Sequence, residues 1–223
     1  MELGIVLLGL GLAFYIAWCI GTNDAANPTQ MAVGSGALRI NRAILLFALF
    51  AFIGASIQGW MVIKTFGKGI AHISTIYDAL TATIATAIWI TLSSYKGMPI
   101  STTQSSVGAV LGIGLFHVYL LGEAQGIYWG VLMKVFASWV TSPLGGMLLA
   151  AGLYFPFTKL AERISKAGKN PDKLFKFLVI AALAGSAYAF GSNDVGNATG
   201  VYYSILSSSG AHAGFDYRTA LGL

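Results

Sequence analysis

The segment Gly21-Thr22-Asn23-Asp24-Ala25-Ala26-Asn27 ends a long apolar run, and its pattern occurs again at Gly191-Ser192-Asn193-Asp194-Val195-Gly196-Asn197. Each copy places an aspartate between asparagines, directly after a stretch of the length that enters a membrane. A charged side chain at the centre of a bilayer costs about 2.5 to 3.5 kcal/mol. Because the chain accepts this cost twice in the same amide-rich setting, we expect both copies to bind a polar ligand.

Composition places the chain in the membrane. Of its 223 residues, 56% are hydrophobic and 9% are charged, whereas about a quarter of the residues in a soluble domain are charged. The sequence therefore predicts an all-α polytopic membrane protein, a multi-pass protein of the plasma membrane surrounded by the lipid bilayer. The net charge of +5 does not indicate nucleic acid as a partner, because six of the thirteen basic residues lie between residues 159 and 176, as in a cytoplasmic loop.

Six apolar stretches are candidate transmembrane helices. They cover approximately residues 3–20, 43–63, 75–94, 107–121, 127–155 and 174–190. The fourth is short and follows a polar string that begins at Pro99, so residues 99–121 could form a half-helix, a re-entrant hairpin or a complete but broken span. If the N-terminus lies outside and the first five stretches cross, nine basic residues fall on the cytoplasmic side and three outside, which is the expected asymmetry.

The two motifs indicate an internal repeat. They lie 170 residues apart, and in the same register Gly21 matches Gly191 and Thr29 matches Thr199. Five predicted spans separate the copies, and because five is odd, the second copy should enter the membrane from the opposite face. Inverted repeats with broken helices are typical of secondary transporters, which bind their substrates where the repeats meet.

The predicted organisation has three parts. Residues 1–155 form the first inverted repeat, residues 156–173 a basic cytoplasmic loop, and residues 174–223 the start of the second repeat. Asn27-Pro28 indicates a helix restart, since asparagine is a favoured N-cap and proline suits the first helical turn. A break across residues 21–27 would make backbone carbonyls and the Asn23 and Asn27 amides available to a cation. The alternative is that each motif caps a helix in an interfacial loop.

A second polar segment, Pro99-Ile100-Ser101-Thr102-Thr103, places three hydroxyls and unpaired backbone N–H groups at a helix start. Such a helix N-terminus attracts anions, although a Ser/Thr run in a membrane helix can also be an interhelical hydrogen-bond patch. An anion beside Asp24 and Asp194 requires a cation or a proton. Sodium held by carboxylate, amide and carbonyl oxygens, or protonation of the aspartates, would neutralise the site, and obligatory co-binding would make the protein a symporter.

These motifs resemble the inorganic phosphate transporter (PiT) family, whose members carry Gly-x-Asn-Asp-x-x-Asn in each of two inverted halves and Pro-x-Ser-Thr-Thr later in each half. The resemblance covers the whole chain and implies cation-coupled symport of inorganic phosphate by alternating access, with sodium ions or protons co-transported, no cofactor and no enzymatic activity. It also implies roles for individual residues. Phosphate binding is expected at Ser101, Thr102, Thr103, Gln104, Asn27 and Asn197, and cation binding, with sodium at the two aspartates, at Asn23, Asp24, Asn193 and Asp194.

The chain departs from the family pattern in two ways. It ends at Leu223, before any second Pro-x-Ser-Thr-Thr segment, so we expect a fragment or one part of a split transporter, which acts as a homo-oligomer or with the missing C-terminal part. Ala51 stands where the resembling eukaryotic members carry a glutamate, which leaves the ion stoichiometry open.

Three other functions compete with phosphate symport. Sulfate is the nearest rival substrate, but HPO₄²⁻ has a proton to donate to Asp24 or Asp194, whereas sulfate has none at neutral pH. An intramembrane aspartyl protease would use the two aspartates as a dyad that shares a proton. A channel would conduct phosphate without cation coupling.

Overall fold

A computed structural model describes residues 3–71, 73, 75–122 and 126–208, so the part of the predicted second repeat after residue 208 lies outside the described residues. Within them the chain forms seven α-helices and no extended strand. The helices are α1 (Leu3–Asp24), α2 (Ala26–Gly34), α3 (Ile40–Gly69), α4 (Ile76–Tyr95), α5 (Thr102–Leu120), α6 (Trp129–Lys166) and α7 (Asp172–Ser208). The prediction of an all-α membrane protein is confirmed.

Among the described residues, six stretches are long and apolar enough to cross a bilayer, with α1 and α2 together contributing the first. Helix α5 has 19 residues, and at about 1.5 Å per residue it matches a hydrocarbon core about 30 Å thick. It is one continuous helix, so all three alternatives for residues 99–121, a half-helix, a re-entrant hairpin and a broken span, are wrong.

The predicted break across residues 21–27 is wrong in its extent, because the interruption covers only Ala25. Helix α1 continues through Asp24, α2 begins at Ala26, and Ala25 between them keeps helical dihedrals (φ −60°, ψ −25°). Asn27 is therefore inside α2 and does not cap it. The interruption is this small because Pro28 removes a single N–H, the one that would bond the carbonyl of Asp24.

The second motif shows no interruption at all, so the prediction of broken helices is also wrong there. It lies within the continuous helix α7. Ala198 occupies the position equivalent to Pro28, and it supplies the backbone N–H that proline lacks.

The basic segment 156–173 is helical over most of its length, which corrects the predicted loop. Helix α6 continues to Lys166 and α7 begins at Asp172, so only residues 167–171 connect them. Leu, Ala, Glu, Arg and Lys dominate residues 159–166, and all are strong helix formers. Gly168, at φ 68°, makes the turn.

Helices α3 and α7 approach each other at backbone contact. A Cβ atom on Gly54 would overlap the carbonyl oxygen of Tyr188, and one on Gly191 would overlap the carbonyl oxygen of Ala51. Small residues at such crossings let membrane helices pack through their main chains. This contact fixes the second motif against α3.

A small apolar cluster lies beside both motifs. It joins Ile16 and Ile20 of α1, Ala87 of α4 and Ala198 of α7, all buried. Helices α1, α4 and α7 therefore meet beside the two motifs.

Candidate functional site

The two motifs and the start of α5 surround one cavity of about 480 Å³. Asp24 and Asn27 line it from the first motif, residues 99–103 from the α4–α5 connection and the start of α5, and Ser186, Ala189, Phe190, Asn193 and Asp194 from α7. Segments separated by up to about 170 residues in the sequence therefore contribute to a single polar site.

The start of α5 has the geometry predicted for an anion-binding helix terminus. Ser101 is the N-cap, and its hydroxyl oxygen accepts a hydrogen bond from the backbone N–H of Gln104 at 3.2 Å. The N–H groups of the first helical residues, Thr102 and Thr103, have no partner inside the helix, and both residues line the cavity. Backbone dipole and hydroxyls together favour a negative ligand here.

Gln104 lies elsewhere. It lines a second cavity of about 600 Å³ on the other side of Ser101, together with Trp89 of α4. Gln104 is therefore not among the residues that line the first cavity, although Ser101 lines both cavities.

The two aspartates are buried on the cavity wall. Asp24 is 3% exposed and lines the cavity together with Thr102. Asp194 is 7% exposed, and its Oδ1 accepts a hydrogen bond from the Asn197 amide at 3.0 Å. The Oδ2 atom of each aspartate has no hydrogen-bond partner within the described part of the chain, and both aspartates line the same cavity. A buried charge without a partner is unfavourable, so this arrangement calls for a cation or a proton.

The asparagines of the second motif hold α5. Asn197 is 4% exposed, and its Nδ2 lies 2.9 Å from the hydroxyl oxygen of Thr103. Asn193 donates to the same oxygen at 3.4 Å. Asn197 is not among the residues that line the cavity, whereas Asn193 is.

Asn23 of the first motif makes different hydrogen bonds from Asn193, the equivalent residue of the second motif. Its Nδ2 donates to Ser94 Oγ at 3.1 Å and to the carbonyl of Met98 at 3.4 Å, and its Oδ1 accepts from the backbone N–H of Ile100 at 3.3 Å. The side chain expected to bind a cation is thus engaged with the α4–α5 connection. Asn27 is exposed and lines the cavity.

Sequence reasoning missed Ser186 and Phe190 on α7 and Ser94 on α4. The first two were detectable, since Phe190 precedes Asn193 by about one helical turn and Ser186 precedes it by about two, so both share its face of α7. No sequence signal singles out Ser94, because its role depends on the packing of α1 against α4.

Comparison with known proteins identifies the chain. The sequence model of the phosphate transporter family matches residues 20–167, about two thirds of the chain. The chain belongs to the phosphate transporter family. It is 37% identical over 168 residues to the chloroplastic inorganic phosphate transporter 2-1 of Arabidopsis thaliana, covering 72% of this chain and 27% of that protein. It is 40% identical over 156 residues to a protein of Chlamydia trachomatis named as a phosphate permease, covering 66% of this chain and 35% of that protein.

The fold agrees with this family. The solved structure of a sodium-dependent phosphate transporter superposes with a TM-score of 0.75 at 24% identity, covering 98% of this chain and 72% of that one. This family member is a multi-pass membrane protein. The matched family is one of transporters, which argues against the protease alternative. The chain spans about a third of the length of the curated relatives named above.

Proposed function

We propose that this chain takes part in cation-coupled symport of inorganic phosphate across the plasma membrane, and that the cavity between the two motifs is its binding site. One observation carries the proposal: two buried carboxylates with unpartnered oxygens share a cavity with the N-terminus of α5. None of the described residues that line this cavity is basic. Groups that attract a cation and groups that attract an anion therefore lie side by side.

The anion would bind at the start of α5. Ser101, Thr102 and Thr103 offer hydroxyls, and the helix terminus adds backbone N–H groups with the positive end of the helix dipole. Phosphate is favoured over sulfate because HPO₄²⁻ can donate its own proton to an unpartnered carboxylate oxygen of Asp24 or Asp194. The names of the relatives support the same substrate.

The cation would bind at Asp24 and Asp194. Two buried carboxylates repel each other and also repel a bound anion, and a positive ion between them removes both penalties. Sodium is favoured over a proton because the similar solved structure is of a transporter named as sodium-dependent. Because neither ion is well accommodated without the other, binding is obligatorily coupled, as symport requires.

Alternating access between two inverted repeats is the transport mechanism that we propose. Local hydrogen bonds support the equivalence of the two motifs: Thr29 and Thr199 each donate to the carbonyl four residues earlier, both at 2.7 Å. Thr22 and Ser192 each donate to the carbonyl three residues earlier, at 2.8 and 2.9 Å. The proposal includes assembly with a second copy or with a segment equivalent to the remaining length of the relatives.

Equilibrium binding of radiolabelled phosphate to the chain in lipid nanodiscs tests this function. We expect saturable binding that is stronger in sodium than in choline at constant pH and ionic strength, and that equimolar sulfate does not displace. A shift of pH in choline tests proton coupling. Absence of saturable phosphate binding in every condition, or displacement by equimolar sulfate, would contradict the proposal. Phosphate binding indifferent to both sodium and pH would instead support the channel alternative.

A further inference from the structure

The amide group of Asn197 connects the two halves of the site. Its nitrogen lies 2.9 Å from Thr103 Oγ1 and 3.0 Å from Asp194 Oδ1. A primary amide nitrogen carries two hydrogens, so one is committed to the hydroxyl at the start of α5 and the other to the carboxylate. One planar group thus touches both the proposed anion site and the proposed cation site.

The contact with Asn197 also decides what Thr103 can do. A hydroxyl oxygen has two lone pairs and one hydrogen, and the oxygen of Thr103 receives N–H groups from Asn193 and Asn197. With both lone pairs occupied, the hydroxyl can only donate its hydrogen. Thr103 lines the cavity, so the donor is available to an anion held there.

We propose that Asn197 is the positioning residue that couples cation binding at Asp194 to anion binding at Thr103. The inference rests on the proposed function. A cation on Asp194 fixes the orientation of the carboxylate, the carboxylate keeps one Asn197 hydrogen, and the planar amide then directs its other hydrogen at Thr103. Without the cation, repulsion between Asp24 and Asp194 favours other orientations of the carboxylate, and the hydroxyl loses its fixed direction.

The equivalent residue of the first motif differs from Asn197. Asn27 is exposed and lines the cavity, whereas Asn197 is 4% exposed and does not line it. Asn197 therefore acts on phosphate through Thr103, while Asn27 can meet the ligand directly. Asn193 approaches Thr103 at 3.4 Å and is exposed, so its contribution to coupling is the smaller one.

The experiment measures linkage in the whole chain in nanodiscs. The Kd for radiolabelled inorganic phosphate is determined in choline and in saturating sodium, and the ratio of the two values is the coupling factor. Coupling between two ligands is typically about 5- to 150-fold. We expect a wild-type factor in this range and a factor of about threefold or less in Asn197→Ala. In that variant the phosphate Kd should rise more in sodium than in choline, whereas loss of a direct phosphate ligand would raise both Kd values by the same factor.

Three further variants make the result specific. Thr103→Ala breaks the same link from α5 and should also reduce the coupling factor, while Thr103→Ser keeps the hydroxyl and should retain it. Thr103→Ala decides the matter where Asn197→Ala does not fold. Asn27→Ala, the matched variant in the first motif, should weaken phosphate binding in choline and in sodium alike, which leaves the ratio unchanged.

Each outcome tests either the proposed function or the role of Asn197. A wild-type protein that binds no phosphate contradicts the proposed function itself. A coupled wild-type protein whose factor survives in Asn197→Ala, or survives in Thr103→Ala, overturns the role of Asn197 and leaves the function intact. Equal loss of the factor in Asn27→Ala and Asn197→Ala also overturns it, because the effect would then be a general disturbance of the site.

Discussion

The side-chain oxygen of Asn23 accepts a hydrogen bond from the backbone N–H of Ile100, 3.3 Å away and 77 residues further along the chain. The nitrogen of the same amide donates to Ser94 Oγ and to the carbonyl of Met98. The contact with Ser94 is at the end of α4, and those with Met98 and Ile100 are on the α4–α5 connection, which ends at the N-cap Ser101. The first motif therefore holds in place the segment that leads into Ser101 and the proposed anion site.

Replacing Asn23 should weaken phosphate binding without removing a cation ligand. Asn23→Ala leaves the N–H of Ile100 unpaired, at a cost of about 1 to 3 kcal/mol, and should raise the phosphate Kd. Asn23→Asp retains the acceptor but loses both donors, so it should give a smaller increase. Sodium titrations on the same samples provide the control. A higher sodium affinity in Asn23→Asp with an unchanged phosphate Kd would show that Asn23 is a cation ligand after all.

The glycines at equivalent positions of the two motifs should respond differently to alanine. Gly191→Ala forces a methyl group against the carbonyl of Ala51, and overpacking of this kind costs about 1 to 3 kcal/mol. Gly21→Ala is the matched control, because no atom lies within 4 Å of the added Cβ. Thermal unfolding in detergent should show a lower Tm for Gly191→Ala only. Equal Tm values for the two variants would mean that α3 and α7 do not pack at backbone contact.

Neutralising the aspartates should abolish the sodium dependence. In Asp194→Asn the side-chain oxygen can still accept the hydrogen bond from Asn197, but the buried negative charge is gone, and with it the reason to bind a cation. We expect phosphate binding in Asp194→Asn to lose its response to sodium, and the same in Asp24→Asn. The Tm should not fall, since removing an uncompensated buried charge does not destabilise the fold. Sodium stimulation that survives in the double variant would remove both residues from the cation site.

Substitutions at Ser101 separate helix capping from anion binding. Aspartate and asparagine cap helices about as well as serine, so Ser101→Asp and Ser101→Asn should both keep the wild-type Tm. Only the aspartate adds a negative charge to the cavity wall, and we expect its phosphate Kd to rise by about tenfold or more relative to the asparagine variant, as even about 1.4 kcal/mol of repulsion would give. Similar Kd values for the two variants would place the anion away from the start of α5.

Some of the site was predictable because it depends on local chemistry. Pro99 ends one apolar run and Ser101 is a good N-cap, so the start of α5 follows from the residues themselves. The six spans follow from apolar length. The shared location of Asp24 and Asp194 in one cavity agrees with the repeat, which the sequence displays directly.

Other features could not be predicted because they depend on packing or on a single substitution. The contacts of Asn23 with Ser94 and Ile100 exist only because α1 packs against α4. The prediction of a break across residues 21–27 overestimated the effect of Pro28 on the helix. This proline removes one backbone hydrogen bond, and the other hydrogen bonds of the helix remain. The prediction of a loop at residues 156–173 took the basic residues as a sign of irregular structure. Lysine and arginine indicate cytoplasmic exposure, but they also favour helix formation.

The crossing of α3 and α7 limits the movements that could open the cavity first to one face of the membrane and then to the other. Where the main chains touch at Gly54 and Gly191, no side-chain layer separates the two helices. In the alternating-access mechanism that we propose, the two helices would therefore tilt as a pair and the second motif would move with α3. The first motif and the start of α5 lie outside this pair, so the walls of the cavity would separate at the hydrogen bonds from Asn193 and Asn197 to Thr103.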